Sequence, residues 1–309
     1  MRDTTALKWR AEELWRELNL LLPDLSVEVV ARCESTNTRL IERARRSGGL
    51  DDASASRPGE LEPPTSGPVP LAAATPRGRR AGDTQPCLLI AEEQTRGRGR
   101  MGRSWLSTAS ASLTFSLALS FDPPDWSGLS LAIGVALADA LDPRPNQSGP
   151  HLALKWPNDL MWVDDSGAGR KLGGILVETV PVGQRRMAVI GVGLNIAPQP
   201  ASDLSSGFAC LQEMNPGIDA PTALARVARP LVQAVLEFQR TGFAPFKPRF
   251  ERRDYLIGRA VDTSPTDPTG GIADGIDATG ALRVRTGNTI HTLGAGEISI
   301  RVDPSESQC

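Results

Sequence analysis

At 309 residues the chain can hold one large domain with a buried core and a small second one. A formal net charge of −2 argues against a molecule built as a whole to hold nucleic acid and leaves room only for local charged sites. Cys33, Cys87, Cys210 and Cys309 lack metal-site spacing and lie apart from His151 and His291, and no apolar run is long enough for a membrane span, so neither zinc nor a membrane partner is expected.

In chain order, apolar residues at Leu7, Leu14, Trp15, Leu18, Leu21 and Leu22 predict one helix that ends before Pro23. The space before the first core strand admits one helix, not the two or three of a winged helix-turn-helix, and no secretory signal is expected, so the predicted place of work is the cytoplasm. A strand follows over Val27 to Cys33, then Glu34-Ser35-Thr36-Asn37 before a helix from about Thr38 to Arg46. Ser35 and Thr36 suit an N-cap, and the same helix terminus can bind polar ligand atoms; both readings stand. Residues 47–86 are rich in Gly, Pro, Ala, Ser and Arg and almost devoid of large apolar groups, which predicts a disordered surface insertion, and deleting Gly48 to Thr84 is expected to leave activity largely intact.

The chain is organised around Gly97-Arg98-Gly99-Arg100-Met101-Gly102-Arg103-Ser104-Trp105. Its glycines let the backbone bend closely around a ligand, and its arginines suit an oxyanion, above all a phosphate. The spacing Gly97-x-Gly99-x-x-Gly102 also satisfies the dinucleotide-binding pattern, which needs a helix at the third glycine and an acid about 20 residues on. Asp122 meets the second need, but Ser112 to Leu119 alternates like a strand and leaves no room for the crossover helix. The stretch is therefore read as a loop joining two strands, able to close over a phosphorylated compound.

Trp126 to Leu141 predicts an apolar helix, and His151 to Trp162 two short strands pinched at Pro157-Asn158-Asp159. Such a turn is an ordinary hairpin device, here with Lys155 on one side and the carboxylate of Asp159 held in it. Lysine is scarce: Lys8, Lys155, Lys171 and Lys247 are the lysines among 34 basic residues, so each is expected mainly where a compact ammonium is needed. Lys171 opens Lys171-Leu172-Gly173-Gly174-Ile175-Leu176-Val177-Glu178, a strand whose paired glycines admit a ligand or a second backbone. Met187 to Ile196 continues the sheet with Gly191 and Gly193 before Asn195, and helices are predicted over Pro221–Arg240 and Pro245–Arg253. Beyond about Tyr255, short alternating runs broken by glycine, the last at Glu297–Arg301, predict a small all-β barrel.

Taken in order, Glu34-Ser35-Thr36-Asn37, the Gly/Arg loop with Trp105, Lys155-Trp156-Pro157-Asn158-Asp159, Lys171 to Glu178 and Gly191-Val192-Gly193-Leu194-Asn195 resemble the biotin protein ligases, over nearly the whole chain from Val27 to Arg301. The resemblance implies an α/β fold, a mixed β-sheet flanked by helices like the catalytic domain of class II aminoacyl-tRNA synthetases, over residues 1–255, and an SH3-like barrel over 256–309. It implies that biotin and Mg-ATP form biotinyl-5'-adenylate, from which a lysine of a biotin carboxyl carrier protein takes the biotinyl group as an amide. A lipoate protein ligase shares the fold and the adenylate logic, and a non-catalytic sensor would bind the same ligands without needing the reacting-centre groups.

By the same resemblance, Ser35, Thr36, Asn37 and Gln94 line the biotin pocket, Arg98, Gly99 and Arg100 close over biotin and the adenylate phosphate, and Gly174 lets the ligand lie against its strand. Lys171 contacts both the biotin carboxyl and the α-phosphate; Arg103, Trp105, Asn158 and Asn195 serve the nucleotide, Trp105 by stacking on adenine. Asp159 orients or deprotonates the incoming lysine, holds Mg²⁺ or caps its turn. The resemblance further implies that an exposed sheet edge serves the carrier protein and, in some members, a homodimer. Three departures are notable: Met101 stands where some relatives have a basic residue, the long insertion after Arg46 matches no family role, and the DNA-binding winged helix of bifunctional members has no counterpart, so no repressor activity is expected.

Overall fold

The computed structural model describes residues 7–51, 84–143, 151–199, 207–263, 268–295 and 301–302. Most of the predicted insertion, at residues 52–83, lies outside that set, as does most of the strand predicted at Glu297–Arg301. The central sheet holds seven strands: β1 (Ser26–Cys33), β2 (Cys87–Gln94), β5 (Ser112–Ser120), β6 (His151–Lys155), β7 (Asp159–Val163), β8 (Gly169–Val182) and β9 (Arg185–Asn195). Their order is β1-β2-β5-β9-β8-β7-β6, with β1 and β2 parallel and every other neighbouring pair antiparallel. The Gly/Arg loop carries a miniature ladder of β3 (Gly97–Arg98) and β4 (Ser104–Trp105). Since β2 runs directly through this loop into its antiparallel neighbour β5, there is no crossover helix and no dinucleotide-binding unit.

The residue alternation sorts the two faces. Leu88 and Ile90 of β2, with Leu113, Phe115, Leu117 and Leu119 of β5, join the large core that packs α1 (Ala11–Asn19), α3 (Leu129–Leu141) and α4 (Ala220–Thr241) against the sheet. Cys87, Leu89 and Ala118 point the other way and meet Leu40, Ile41 and Ala44 of α2 (Thr36–Asp51). On that second face β5 then changes character, because Ser116, Thr114 and Ser112 follow Ala118 at the period-two positions, and all three are buried. The polar floor so formed lies where α2 begins.

Helix limits differ from the periodicity. α1 is shorter than Leu7–Leu22 because Arg10 takes a left-handed conformation at its start and the chain turns after Asn19. α2 begins two residues earlier than predicted and continues to Asp51, and α3 starts at Leu129 instead of Trp126, behind Gly128 at φ 80°. The C-terminal portion is a small antiparallel sheet of β10 (Ala260–Asp262), β11 (Gly270–Ile276), β12 (Leu282–Thr286), β13 (Thr289–Leu293) and β14 (Arg301–Val302), in the order β13-β12-β11-β10-β14. Just before it, after the short α5 (Lys247–Glu251), Arg253–Tyr255 runs alongside β6: Leu154 N–H donates to Arg253 O at 2.7 Å and Tyr255 N–H to Leu154 O at 3.0 Å. The segment covers the β6 end of the sheet. Arg253 fixes it from within, buried against Asp139 at 2.8 Å and donating to Leu152 O at 2.9 Å.

Candidate active site

The N-terminus of α2 builds the first half of the site. Ser35, Thr36, Asn37 and Gln94 are all buried. Ser35 acts as the cap, accepting from Thr38 N–H at 3.4 Å, while Thr36 N–H donates to Gln94 Oε1 at 2.7 Å. Ser116 Oγ lies 2.6 Å from both Thr36 Oγ1 and Asn37 Oδ1, so β5 supports the pair from below. Asn37 Nδ2 donates to Leu176 O at 3.2 Å and to Glu178 Oε2 at 2.9 Å.

Beneath these side chains the sheet is stripped to backbone. Gly191 and Gly193 of β9 stand opposite Ser116 and Thr114 of β5 in the ladder. A Cβ at 191 would sit 2.4 Å from Asn37 Oδ1, and one at 193 would sit 2.4 Å from Trp105 Cε2. The glycines therefore let Asn37 and the Trp105 indole lie directly on the sheet. Trp105 Nε1 is buried there with no acceptor among the described residues.

Lys171 reaches the same face through a bulge. Gly174 pairs with Asp159 and Gly173 with Leu160, but Met161 pairs with Lys171, leaving Leu172 without a partner in the β7 ladder. Three positions apart on a regular strand, 171 and 174 would face opposite ways; the extra residue turns Leu172 into the core and brings Lys171 back beside Gly174. Lys171 Nζ lies 2.7 Å from Asp159 Oδ1, and a Cβ on Gly174 would touch both, at 3.7 and 3.5 Å. Lys155, buried at the end of β6, stands opposite Asp159 in the register.

The Gly/Arg loop lies over this floor. Arg98 donates to Glu178 Oε1 at 2.6 Å, and Arg100 donates to Asn158 Oδ1 at 3.4 Å and to Ala295 O of the C-terminal portion. Burial depresses the Arg100 guanidinium below its ordinary value, the Asp159 charge opposes that shift and Arg103 adds to it. Arg103 is exposed; its carbonyl accepts from Gly99 N–H at 2.7 Å, closing the loop on itself. Met101 and Gly102 both carry positive φ, 56° and 72°, at its tip.

The structure thus brings Ser35, Thr36, Asn37 and Gln94 into one polar cluster, and Lys171, Asp159, Gly174, Arg100 and Asn158 into another. Asn195 stands apart from both in its bonding: its amide donates to Lys171 O at 3.3 Å and Ala209 O at 3.0 Å, so it anchors the backbone that carries Lys171. Ser116 and Glu178 went unassigned in the sequence reading. The signal for Ser116 is the period-two series Ser112, Thr114, Ser116 in a strand otherwise apolar; Glu178 offers no comparable local sign. Chemically, a polar pocket beside a cluster of cations suits an uncharged polar head joined to an anionic group.

Residues 81–195 match the Biotin/lipoate A/B protein ligase family and residues 257–301 the Biotin protein ligase C terminal domain. The chain is 38% identical over 218 residues to the bifunctional ligase/repressor BirA of Escherichia coli, a match covering 69% of this chain and 65% of that protein. It is 31% identical over 230 residues to the biotin--[acetyl-CoA-carboxylase] ligase of Mycobacterium tuberculosis, covering 72% and 82%. Among solved structures it is similar to the biotin protein ligase from Aquifex aeolicus in complex with biotin and ATP, with a TM-score of 0.65, 22% identity and coverage of 90% and 99%, a likeness of fold.

Proposed function

The chain belongs to the biotin protein ligase family, and on that premise we propose that it activates biotin with ATP and transfers it to a lysine of a biotin carboxyl carrier protein. A biotin carboxylate oxygen attacks the α-phosphorus of ATP, the bond to pyrophosphate breaks, and biotinyl-5'-adenylate forms. The neutral amine of the carrier lysine then attacks the acyl carbon, AMP leaves, and the amine proton is lost. Both reactants of the first step are anions, so cations shared between them lower their repulsion and stabilise the charge of the transition state.

The observation that carries this reading is Lys171 Nζ, aimed by a bulge at Asp159 beside Gly174, with Arg100 of the loop near the same carboxylate. Lys171 would leave Asp159 for the biotin carboxyl and α-phosphate, freeing Asp159 to receive the carrier amine, whose pKa in water is about 10.4. Ser35, Thr36, Asn37 and Gln94 would hold the ureido head, Gly174 would admit the ligand to the strand, and Arg98, Gly99 and Arg100 would close over the adenylate. Arg103, Trp105 and Asn158 would meet the nucleotide; Asn195 would support it through the Lys171 backbone.

Mg²⁺ commonly binds through one or two carboxylates together with substrate phosphates, a donor set that Asp159 fits with no ready-made cage. Bound there, it would neutralise phosphate charge. An exposed sheet edge suits strand addition by the carrier domain or by a second copy of the chain, and ATP consumption agrees with work in the cytoplasm. The test is incubation with Mg-ATP, biotin and a carrier domain, reading lysine biotinylation by mass, with lipoate in a parallel tube. A biotin-dependent gain is expected; a gain with lipoate alone, or with neither acid, would overturn the assignment.

A further inference from the structure

We propose that Glu178 is a positioning residue that sets the hydrogen-bond polarity of the biotin pocket and ties it to the Gly/Arg loop. The inference rests on the biotin reading above. Glu178 is the residue that both halves share: Arg98 Nη2 donates to its Oε1 at 2.6 Å and to its Oε2 at 2.5 Å, and Oε2 also accepts from Asn37 Nδ2 at 2.9 Å.

The polarity follows from what each group can do. A carboxylate and a backbone carbonyl only accept, so Glu178 and Leu176 O together claim both amide hydrogens of Asn37. The Asn37 oxygen must then face Ser116, and Gly191 leaves the space for it. An amide oxygen cannot donate, so Ser116 gives its single proton to Asn37. Its 2.6 Å contact with Thr36 must therefore use the Thr36 proton. The Thr36 proton is then withheld from Gln94 Oε1, which stands 3.1 Å from Thr36 Oγ1 and is held by Thr36 N–H at 2.7 Å, so both oxygens are left as acceptors. A chain of four side chains, Glu178, Asn37, Ser116 and Thr36, thus ends in an acceptor because it begins at a carboxylate, and a backbone N–H turns Gln94 the same way. Acceptors at that end select a ligand head that offers N–H donors, as a cyclic urea does and a dithiolane does not.

Glu178→Gln keeps the shape and removes this order. Because Arg98 lies against both carboxylate oxygens, whichever end of the new amide carries its hydrogens meets a donor, Arg98 at the one place and Arg98 with Asn37 at the other. The biotin KM of carrier biotinylation is expected to rise about tenfold or more, with kcat and the ATP KM changed less than about threefold. In an Arg98→Ala background the glutamine amide can turn its hydrogens to solvent and accept from Asn37, so adding Glu178→Gln there should raise the biotin KM less than about threefold further. That non-additivity is a readout which a merely structural loss would not produce. Unchanged biotin KM in Glu178→Gln, or equal effects of the substitution in both backgrounds, overturns the inference. Should Glu178→Gln not fold, Glu178→Asp, too short to hold both partners, should raise the biotin KM in its place, and an unchanged KM there counts equally against it. Loss of the wild-type chain's own use of biotin would instead remove the underlying reading.

Discussion

At the scale of the residue, Lys171 and Gly191 carry the sharpest expectations. Lys171→Ala should lower biotin-dependent pyrophosphate exchange by more than about a hundredfold, because on the proposed function it removes the cation that would bridge the carboxylate and the α-phosphate. Lys171→Arg should also fail by at least about tenfold, since a planar fork cannot replace a point charge wedged between Asp159 and Gly174. Near-normal exchange in either protein would refute the role. Gly191→Ala drives a methyl to 2.4 Å from Asn37 Oδ1, and Asn37 is held on its other side by Leu176 O and Glu178. Overpacking of this kind costs about 1–3 kcal/mol, so urea unfolding should show that loss together with weakened biotin binding. The rarity of lysine in an arginine-rich chain drew attention to Lys155 and Lys171 alike, and only the fold shows which of them lies beside Asp159 and Gly174. Glu178 was not legible, because its role depends on Arg98 and Asn37, 80 and 141 positions away in the chain.

At the scale of the element, the alternation of β5 and β9 could be read directly, and with it the refusal of a dinucleotide fold. The bulge at Leu172 could not: pairing register is a property of two strands, and the paired glycines announce only that something approaches closely. Helix ends were misjudged where backbone conformation at Arg10 and Gly128 overrode apolar spacing. The segment Arg253–Tyr255 brings a pH dependence. Burial pushes the Asp254 carboxyl up to about 6; Oδ1 accepts from Leu256 N–H at 2.9 Å, whereas Oδ2 is buried with no partner among the described residues. An unfolded aspartate titrates near about 3.9, so between that value and about 6 the folded chain binds more protons than the unfolded one. Stability from this group is therefore greatest in acid and falls as pH rises, by up to about 3 kcal/mol above pH ~6 at 1.36 kcal/mol per unit. Asp254→Asn should be more stable than the parent at pH 8 and nearly equal to it at pH 4 by urea unfolding; an equal gain at both pH values would count against this account.

At the scale of the whole molecule, the C-terminal sheet reaches back to the site. Trp156 Nε1, in the turn between β6 and β7, donates to Gly280 O at 3.0 Å in the interior, and Arg100 of the loop donates to Ala295 O. Trp156→Phe leaves a buried carbonyl without its donor and should cost about 1–3 kcal/mol, read as a lowered urea midpoint with an unchanged slope. An unaltered midpoint would show the junction to be held elsewhere. The two-part architecture was visible in the change from long apolar periods to short glycine-broken runs, but not the contacts that join the parts, since Trp156 and Gly280 lie 124 positions apart. The way the chain leaves the large sheet has one more effect. By laying Arg253–Tyr255 along β6, it occupies the N–H and C=O of Leu154, groups that a bare edge would offer as a template on which foreign chains stack and aggregates grow. Displacing the connection between the two parts would unmask them, so the same segment that joins the parts should also restrain aggregation.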